Sequence, residues 1–561
     1  MGHFKILSII SLVILAFAGC SSRVAGGPKP NRPSFNPEKF FKETKTPHHS
    51  AKKSTEGNSF FYYVISKLEG YDGDLEDALT DLGKATELAP KSSFLQQERA
   101  RQNVEANRID EAMASIKKSI ELDPTNQEAH IILGKLYSAR KQSKEAIAQY
   151  TEAVRIDPKD EEAYASLARE YLVNKDFERA IQVIAQLKKQ VPDSLTAPYY
   201  LGTIYSSFKK NYPKAIEAFR DILEENPEEI RALQALGQIY LERDQLKEAL
   251  KVYQDLDRIV AEDVATQLRL GLIYYELKNY DRAAESFRKI LETNPNSDRV
   301  QYYLGVVSQT QKKEDEALNY FSQITPESSF YKDSILRRIL IYQNQNRMGE
   351  ALDLVEKGLS EKKDVPEFYD VLATLYSSQR DYNKAIETLS EALKKFPKEE
   401  RLYFSLGVIY DKNGDFDSSL KMMRQVLNLN PKHAAALNYI GYSYAERGIH
   451  LDEALELISK AASLKPKDGY ILDSLGWVHF KRGDVNRAVH FLIKADEISP
   501  DEPTILEHLG DVFLHKGSRK KAQDYYQRAQ EILKAQLKRD AAEQEVFVRI
   551  SQKLLEKFGL K

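Results

Sequence analysis

The sequence predicts an all-α solenoid of about fourteen helix pairs closed by a C-terminal capping helix, and three regularities predict it. A small residue returns every 34 positions, with a spacing of 35 in two places, through Gly134, Ala168, Gly202, Gly237, Gly271, Gly305, Gly407, Gly441, Gly476 and Gly510. Twelve residues later, or thirteen in the two longer repeats, stands a second landmark. It is alanine in thirteen of fourteen repeats, as at Ala146, Ala249, Ala283 and Ala488, with Ser419 the exception. A proline closes ten of the repeats, often as Asp-Pro or Asn-Pro (Asp157-Pro158, Asn226-Pro227, Asn430-Pro431), a pair that stops a helix. One helix pair cannot bury its own apolar face, so neighbouring pairs must stack.

Composition excludes other classes. The 561 residues are 42% hydrophobic and 30% charged, too apolar for a disordered chain, while 25 Gly and 20 Pro are too few for a collagenous one. A formal net charge of −2 supplies no global field for nucleic acid. A single cysteine excludes a disulfide scaffold, a thiolate zinc site and an iron–sulfur cluster. No HExxH, G-x-S-x-G, Walker A or strand-borne G-x-G-x-x-G motif is present, so no enzyme activity, cofactor or small-molecule substrate is expected. His508 and His515 stand two helical turns apart, but no carboxylate or thiolate joins them at ligand spacing and His479 fills a core tyrosine slot, so no metal is expected.

Taken from the N-terminus, residues 1–19 read as a signal peptide. Lys5 precedes thirteen apolar or small residues, Ile6 to Ala18, a run too short to span a bilayer. Phe17-Ala18-Gly19-Cys20 resembles the bacterial lipobox, with Phe17 where leucine is usual. That resemblance implies acylation of Cys20 and a stable lipid anchor. Ser21, in place of an aspartate, favours the outer membrane, facing the periplasm. Ala16-Phe17-Ala18 also fits ordinary cleavage, which leaves a soluble periplasmic protein. Residues 20–58 form a Pro-rich stretch without apolar periodicity, carrying eight Lys or Arg against three Glu, and read as a disordered basic tether.

The repeats follow, and their residues resemble the tetratricopeptide repeat (TPR), whose fold implies a right-handed solenoid. A first half of the array spans 59–325 and a second spans 367–534. Between them, repeat nine places Ile339 at the small landmark and Arg338 where leucine is usual, while Pro326 comes early. Two readings stand for 326–366: a softer joint, or drift without altered geometry. The longer repeats carry their extra residue between paired helices, at Asn211-Tyr212-Pro213 and Ile449-His450-Leu451. Residues 535–561 hold the capping helix, with Val546, Phe547, Ile550 and Leu554 on one face.

The resemblance also implies where binding occurs. First helices line a concave groove, with exposed positions at −6, −3, +1 and +4 from the small landmark. Those positions hold Tyr275, Tyr302, Phe404, Asn438, Tyr442, Tyr470, Asp473, Trp477 and Phe480. Exposed aromatics edged by charges suit a protein partner; the same rings could instead pack between adjacent helices. The Lys/Asn carboxylate clamp and the asparagine ladder of other TPR arrays are absent. From about Ala436 to Ala522, ALNYIGYSYAERGIHLDEALELISKA and PKDGYILDSLGWVHFKRGD resemble bacterial TPR lipoproteins that act as adaptors of periplasmic carboxyl-terminal processing proteases. The resemblance implies a non-enzymatic scaffold that presents substrates such as peptidoglycan hydrolases to a protease; the alternative is an assembly factor for outer-membrane, pilus or secretion machinery.

Overall fold

A computed structural model of the chain describes residues 55–535 and 541–560. The expected signal peptide, Cys20 and the tether up to residue 54 lie outside those residues. Among the described residues there are twenty-nine α-helices and no strand. They fall into two compact blocks, one ending at Pro295 and the other beginning at Asn296. The first block holds seven helix pairs, from Thr55–Asp72 with Leu75–Leu88 to Val264–Glu276 with Tyr280–Thr293. The second holds seven more, from Asp298–Thr310 with Glu314–Ser322 to Pro503–His515 with Arg519–Ala535, and then the helix Ala541–Phe558. The first helix starts inside the expected tether, four residues before the expected boundary.

Local chemistry sets the helix ends. Asn126, Asp160, Asp263 and Asp468 start first helices by accepting a hydrogen bond from the backbone N–H three residues on. Second helices stop at an extended residue, such as Asp157, Asn226 or Asn430, because the following proline disfavours helical backbone there. Between paired helices the chain turns through one left-handed residue, lysine at 141, 175, 278 and 312 and glycine at 414, 483 and 517. There the N–H of Gln142 reaches back to the carbonyl of Tyr137 and that of Lys141 to Ser138, closing the helix end.

The helix crossing is the constraint behind the small landmarks. All fourteen second landmarks, Ser419 included, are closed to solvent. What lies nearest each landmark glycine, however, is not the second landmark but the side chain four residues beyond it. A Cβ at Gly134 would stand 2.5 Å from the Tyr150 ring, at Gly237 2.9 Å from Tyr253, at Gly271 2.4 Å from Phe287, and at Gly510 2.4 Å from Tyr526. Gly407 and Gly476 admit Met423 and Leu492 in the same way. Where the landmark is alanine, the matching position is aliphatic: Ala100 with Ile116, Ala168 with Ile184, Ala373 with Leu389. Size at one position is offset by size at the other, as close packing requires.

A second regularity ties several repeats to the one before them. The tyrosine three residues after the small landmark reaches a side chain twenty residues upstream, in the preceding second helix. Arg220 donates to the Tyr240 hydroxyl at 2.9 Å, Gln254 to Tyr274 at 3.0 Å, and Arg424 to Tyr444 at 2.9 Å.

Three irregular places separate expectation from structure. In the fifth repeat the extra residue does not sit in the turn at Asn211–Pro213. It is absorbed earlier, in a π-helical turn Ile204–Phe208, where the Lys209 N–H bonds to the Ile204 carbonyl. One surplus residue widens the helix locally and leaves Ile204 buried. In the twelfth repeat the surplus does lie in the turn, with Gly448 and His450 both left-handed. In the ninth, Ile339 is buried, and the position that elsewhere holds a ring or a longer aliphatic chain holds Val355, also buried. The irregularity lies just before it: the second helix of repeat eight ends at Ser322, and the chain turns through 323–330 before Tyr331–Asn344 begins. The last helix lays Ile550 and Leu554 into the core of repeat fourteen, with Val546 and Phe547 at its edge, as a cap does.

Gly271→Ala should destabilise the array by about 1–3 kcal/mol through overpacking against Phe287. Combining it with Phe287→Leu, which recreates the alanine–aliphatic pairing, should recover much of that loss in a double-mutant cycle measured by denaturant unfolding. Equal losses with and without Phe287→Leu would show that the ring does not set the landmark.

Candidate functional site

The first helices of repeats eleven to fourteen, with the final helix, bring most of the expected groove residues together. They are Glu400–Lys412, Ala434–Arg447, Gly469–Lys481 and Pro503–His515. Phe404, Tyr442 and Phe480 are half-buried and pack against one core cluster that includes Trp477. The Trp477 ring lies flat on His508, centroids 4.0 Å apart and planes 16° from parallel, with Phe480 at 5.3 Å and Lys481 over its face. Its indole N–H donates to Glu446 at 2.6 Å. The other face of the network is carboxylate: Nδ1 of His508 stands 2.9 Å and 3.0 Å from the two oxygens of Asp473. Tyr442 comes within 6.3 Å of His508 from two repeats away.

Trp477 and Asp473, expected at exposed positions, are 6% and 5% exposed. They belong to the packing between first helices, because successive first helices approach closely enough for a ring at +1 to cover a ring at −2 of the next. Tyr470 is exposed and donates to Glu502 at 2.9 Å, outside the cluster. Phe404 stacks toward His433 at 5.3 Å. Tyr302, in repeat eight, sits against Phe330 at 5.0 Å and accepts a hydrogen bond from Arg337 at 3.0 Å. Tyr275, in the first block, packs near Tyr280 at 5.6 Å. Neither belongs to the late cluster. Asn438 is half-buried, and its side-chain oxygen lacks a hydrogen bond among the described residues.

Four −3 positions carry acceptors along this face. Asp370 accepts from Arg401 at 2.7 Å, Asn438 follows, Asp473 faces His508, and Glu507 is gripped by the cap. Arg549 donates to both Glu507 oxygens at 2.9 Å and 2.7 Å, and Lys553 reaches Glu507 and Asp511 at 2.8 Å each. Burial opposes ionising Glu507, but Arg549 and Lys553 outweigh it and hold its pKa below the usual value. Burial likewise opposes charging His508, and Asp473 outweighs it, so the His508 pKa is raised. His479 goes the other way, lowered by burial against Phe491.

His508 is the residue sequence reasoning set aside. Its signal was its place at −2 of repeat fourteen, directly across from the +1 tryptophan and −3 aspartate of repeat thirteen. It turns to Asp473, while His515 meets the edge of Phe480 at 5.4 Å, so the two histidines do not converge. Among the described residues no group of three or more His, Cys, Asp or Glu is placed to hold a metal. None of the described helices is long and apolar enough to cross a membrane.

Stacked helix pairs with a recessed polar and aromatic face define a repeat scaffold for protein–protein interaction. Models of the tetratricopeptide repeat match residues 266–535, 138–201 with 209–273, 116–148 and 104–126, and the chain belongs to that family. A TPR repeat-containing protein of Pseudomonas aeruginosa is 44% identical over 59 residues, 10% of this chain and 10% of its own length. The chain thus matches about a tenth of that relative. Among solved structures, Cut9 with Hcn1 from the APC/C is similar at 14% identity over 80% of this chain and 95% of that one, with a TM-score of 0.36. Yeast Tom70 is similar at 13% identity over 89% and 96%, with a TM-score of 0.34.

Trp477→Ala should cost about 3–5 kcal/mol, the range for a buried large ring, and lower the melting temperature. An unchanged melt would mean that the indole carries no packing. The histidine gives a pH signature. The folded pKa of His508 lies above its ordinary 6.5, so its charge stabilises fully below that pH, and the contribution is lost as pH rises through the raised value. Hydrogen exchange in repeats thirteen and fourteen should therefore quicken relative to repeats ten and eleven on going from pH 6 upward, after correction for the intrinsic rate. His508→Asn should abolish that difference, and a wild-type profile that stays flat would rule it out.

Proposed function

We propose that this protein is a non-enzymatic, lipid-anchored adaptor that holds other envelope proteins at the periplasmic side of the outer membrane. The observation that carries the binding half is the half-buried aromatic patch of Phe404, Tyr442 and Phe480 beside the −3 acceptors. Such a surface offers partly exposed rings, so it suits a partner segment that brings a large apolar side chain. Within the chain, Arg549 and Lys553 of the cap already satisfy the last acceptors of the row. The membrane half is supported by the sequence alone: Cys20 directly after a short apolar run. Acylation there would concentrate the scaffold and whatever it binds on one surface, raising the effective concentration of the bound components without a catalytic group. The resemblance of the 436–522 region to processing-protease adaptors supports a protease and its hydrolase substrates as the partners.

Purification of the chain with its partners from envelope fractions tests the reading. Recovery of a processing protease with hydrolases supports the adaptor; recovery of barrel, pilus or secretion components makes it an assembly factor instead. Phe404→Ala should weaken capture by about tenfold or more while changing the melt far less than Trp477→Ala, because a partner anchor typically contributes about 2 kcal/mol or more. Cys20→Ala should release the protein from the membrane or block its processing. A Cys20→Ala variant that still fractionates as an acylated outer-membrane protein removes the lipid half of the proposal.

A further inference from the structure

The first helix of the array, Thr55–Asp72, carries an apolar stripe whose two central positions, those of Val64 and Leu68, are partly or wholly covered in later repeats. Phe60, Val64, Leu68 and Tyr71 stand at i, i+4, i+8 and i+11, within about 80° of arc at 100° per residue. They are 67%, 37%, 44% and 89% exposed. The position of Leu68, two residues after the small landmark Ser66, is closed to solvent further along: Ile239, Ile273, Val307, Leu375 and Val512 all occupy it. Within each block the second helix of the preceding repeat packs there against the first helix of the next. Repeat one therefore leaves open, at Leu68, a position that later repeats close, and flanks it with exposed rings where a terminal repeat ordinarily presents polar residues to water.

We propose that this stripe is the seam of a homodimer, in which Thr55–Asp72 packs antiparallel on the same helix of a second copy. Three observations select a second copy as the occupant. The stripe is self-complementary: a twofold axis near Ser66 sets Val64 against the partner's Leu68 and the Phe60 end against the partner's Tyr71, an isologous contact. The four side chains expose roughly 450 Å² at usual side-chain areas, which with a surrounding rim approaches the ~800 Å² per partner of a standard interface. No charged side chain stands between them, and the neighbouring Lys67 is tied to Glu98, so two identical faces meet without like-charge repulsion.

The test is the mass of the full chain by sedimentation in density-matched detergent. The wild type should run at twice the chain mass at micromolar concentration. Leu68→Glu places an unpaired carboxylate in the seam and should raise the dissociation constant about 100-fold or more, yielding monomer with an unchanged melt. Leu340→Glu, at a leucine 50% exposed in repeat nine, is the control and should remain dimeric. Val64→Cys with Leu68→Cys should close into a covalent dimer on mild oxidation, against the background set by the wild type and its one cysteine. A monomeric wild type overturns the proposal and assigns the stripe to residues 1–54 or to a different protein; a Leu68→Glu variant that dimerises as tightly as wild type moves the interface elsewhere. Neither result bears on partner capture by repeats eleven to fourteen, which is read separately through Phe404→Ala.

Discussion

Everything in this chain depends on how closely two helices of one repeat can approach. The second landmark must be small because it is sealed within the crossing, and the first must be small because a ring or long aliphatic chain lies directly beneath it. Once that distance is fixed, the pair presents a ridged apolar surface that only a neighbouring pair can cover. The tyrosine link to the preceding repeat then sets how neighbours sit on one another. Stability thus accumulates from nearest neighbours, and no distant contact is needed to define either block.

The two ends of such a stack are where its logic is incomplete, and they are handled differently. At the C-terminus the helix Ala541–Phe558 covers repeat fourteen with Ile550 and Leu554 inward and presents charged residues such as Glu545 and Glu556 to water. At the start of the described array the outward face of Thr55–Asp72 remains apolar. An uncovered apolar stripe costs solubility, so it favours a partner, and a stripe that matches itself under twofold rotation needs only another copy.

The architecture was legible because the repeat multiplies its own evidence. Fourteen copies of one unit outweigh any single departure, so helix count, pairing and the cap were all available from the residues. Less legible was what each landmark faces. Gly271 announces a close approach, but only the three-dimensional crossing shows that Phe287, rather than Ala283, is the neighbour. The surplus residue at repeat five was placed by its visible turn residues, whereas helical backbone can take in one residue as a π turn without any compositional mark. At the candidate site two readings stood for the rings, an exposed groove or packing between adjacent helices, and for Trp477 the second holds. Trp477 sits at a position that is exposed in an isolated helix, and its cover comes from His508, 31 residues on, in a helix whose approach no local pattern reports.

That burial changes what the late repeats do. A histidine held between a carboxylate and an indole is a poor way to gain stability, since desolvating the charges offsets much of their attraction. It is a good way to fix register. The Nδ1 of His508 meets both Asp473 oxygens only when the thirteenth and fourteenth first helices lie at one relative height, and the Trp477 stack requires the same height. Arg549 and Lys553 impose a matching condition between the fourteenth repeat and the cap. An apolar interface of leucines would tolerate sliding, and the neighbouring Phe404–Tyr442–Phe480 surface would slide with it. The polar network therefore acts as a positioning frame for the half-buried aromatics, which keep the exposure that Trp477 has given up and form the surface proposed to meet a partner.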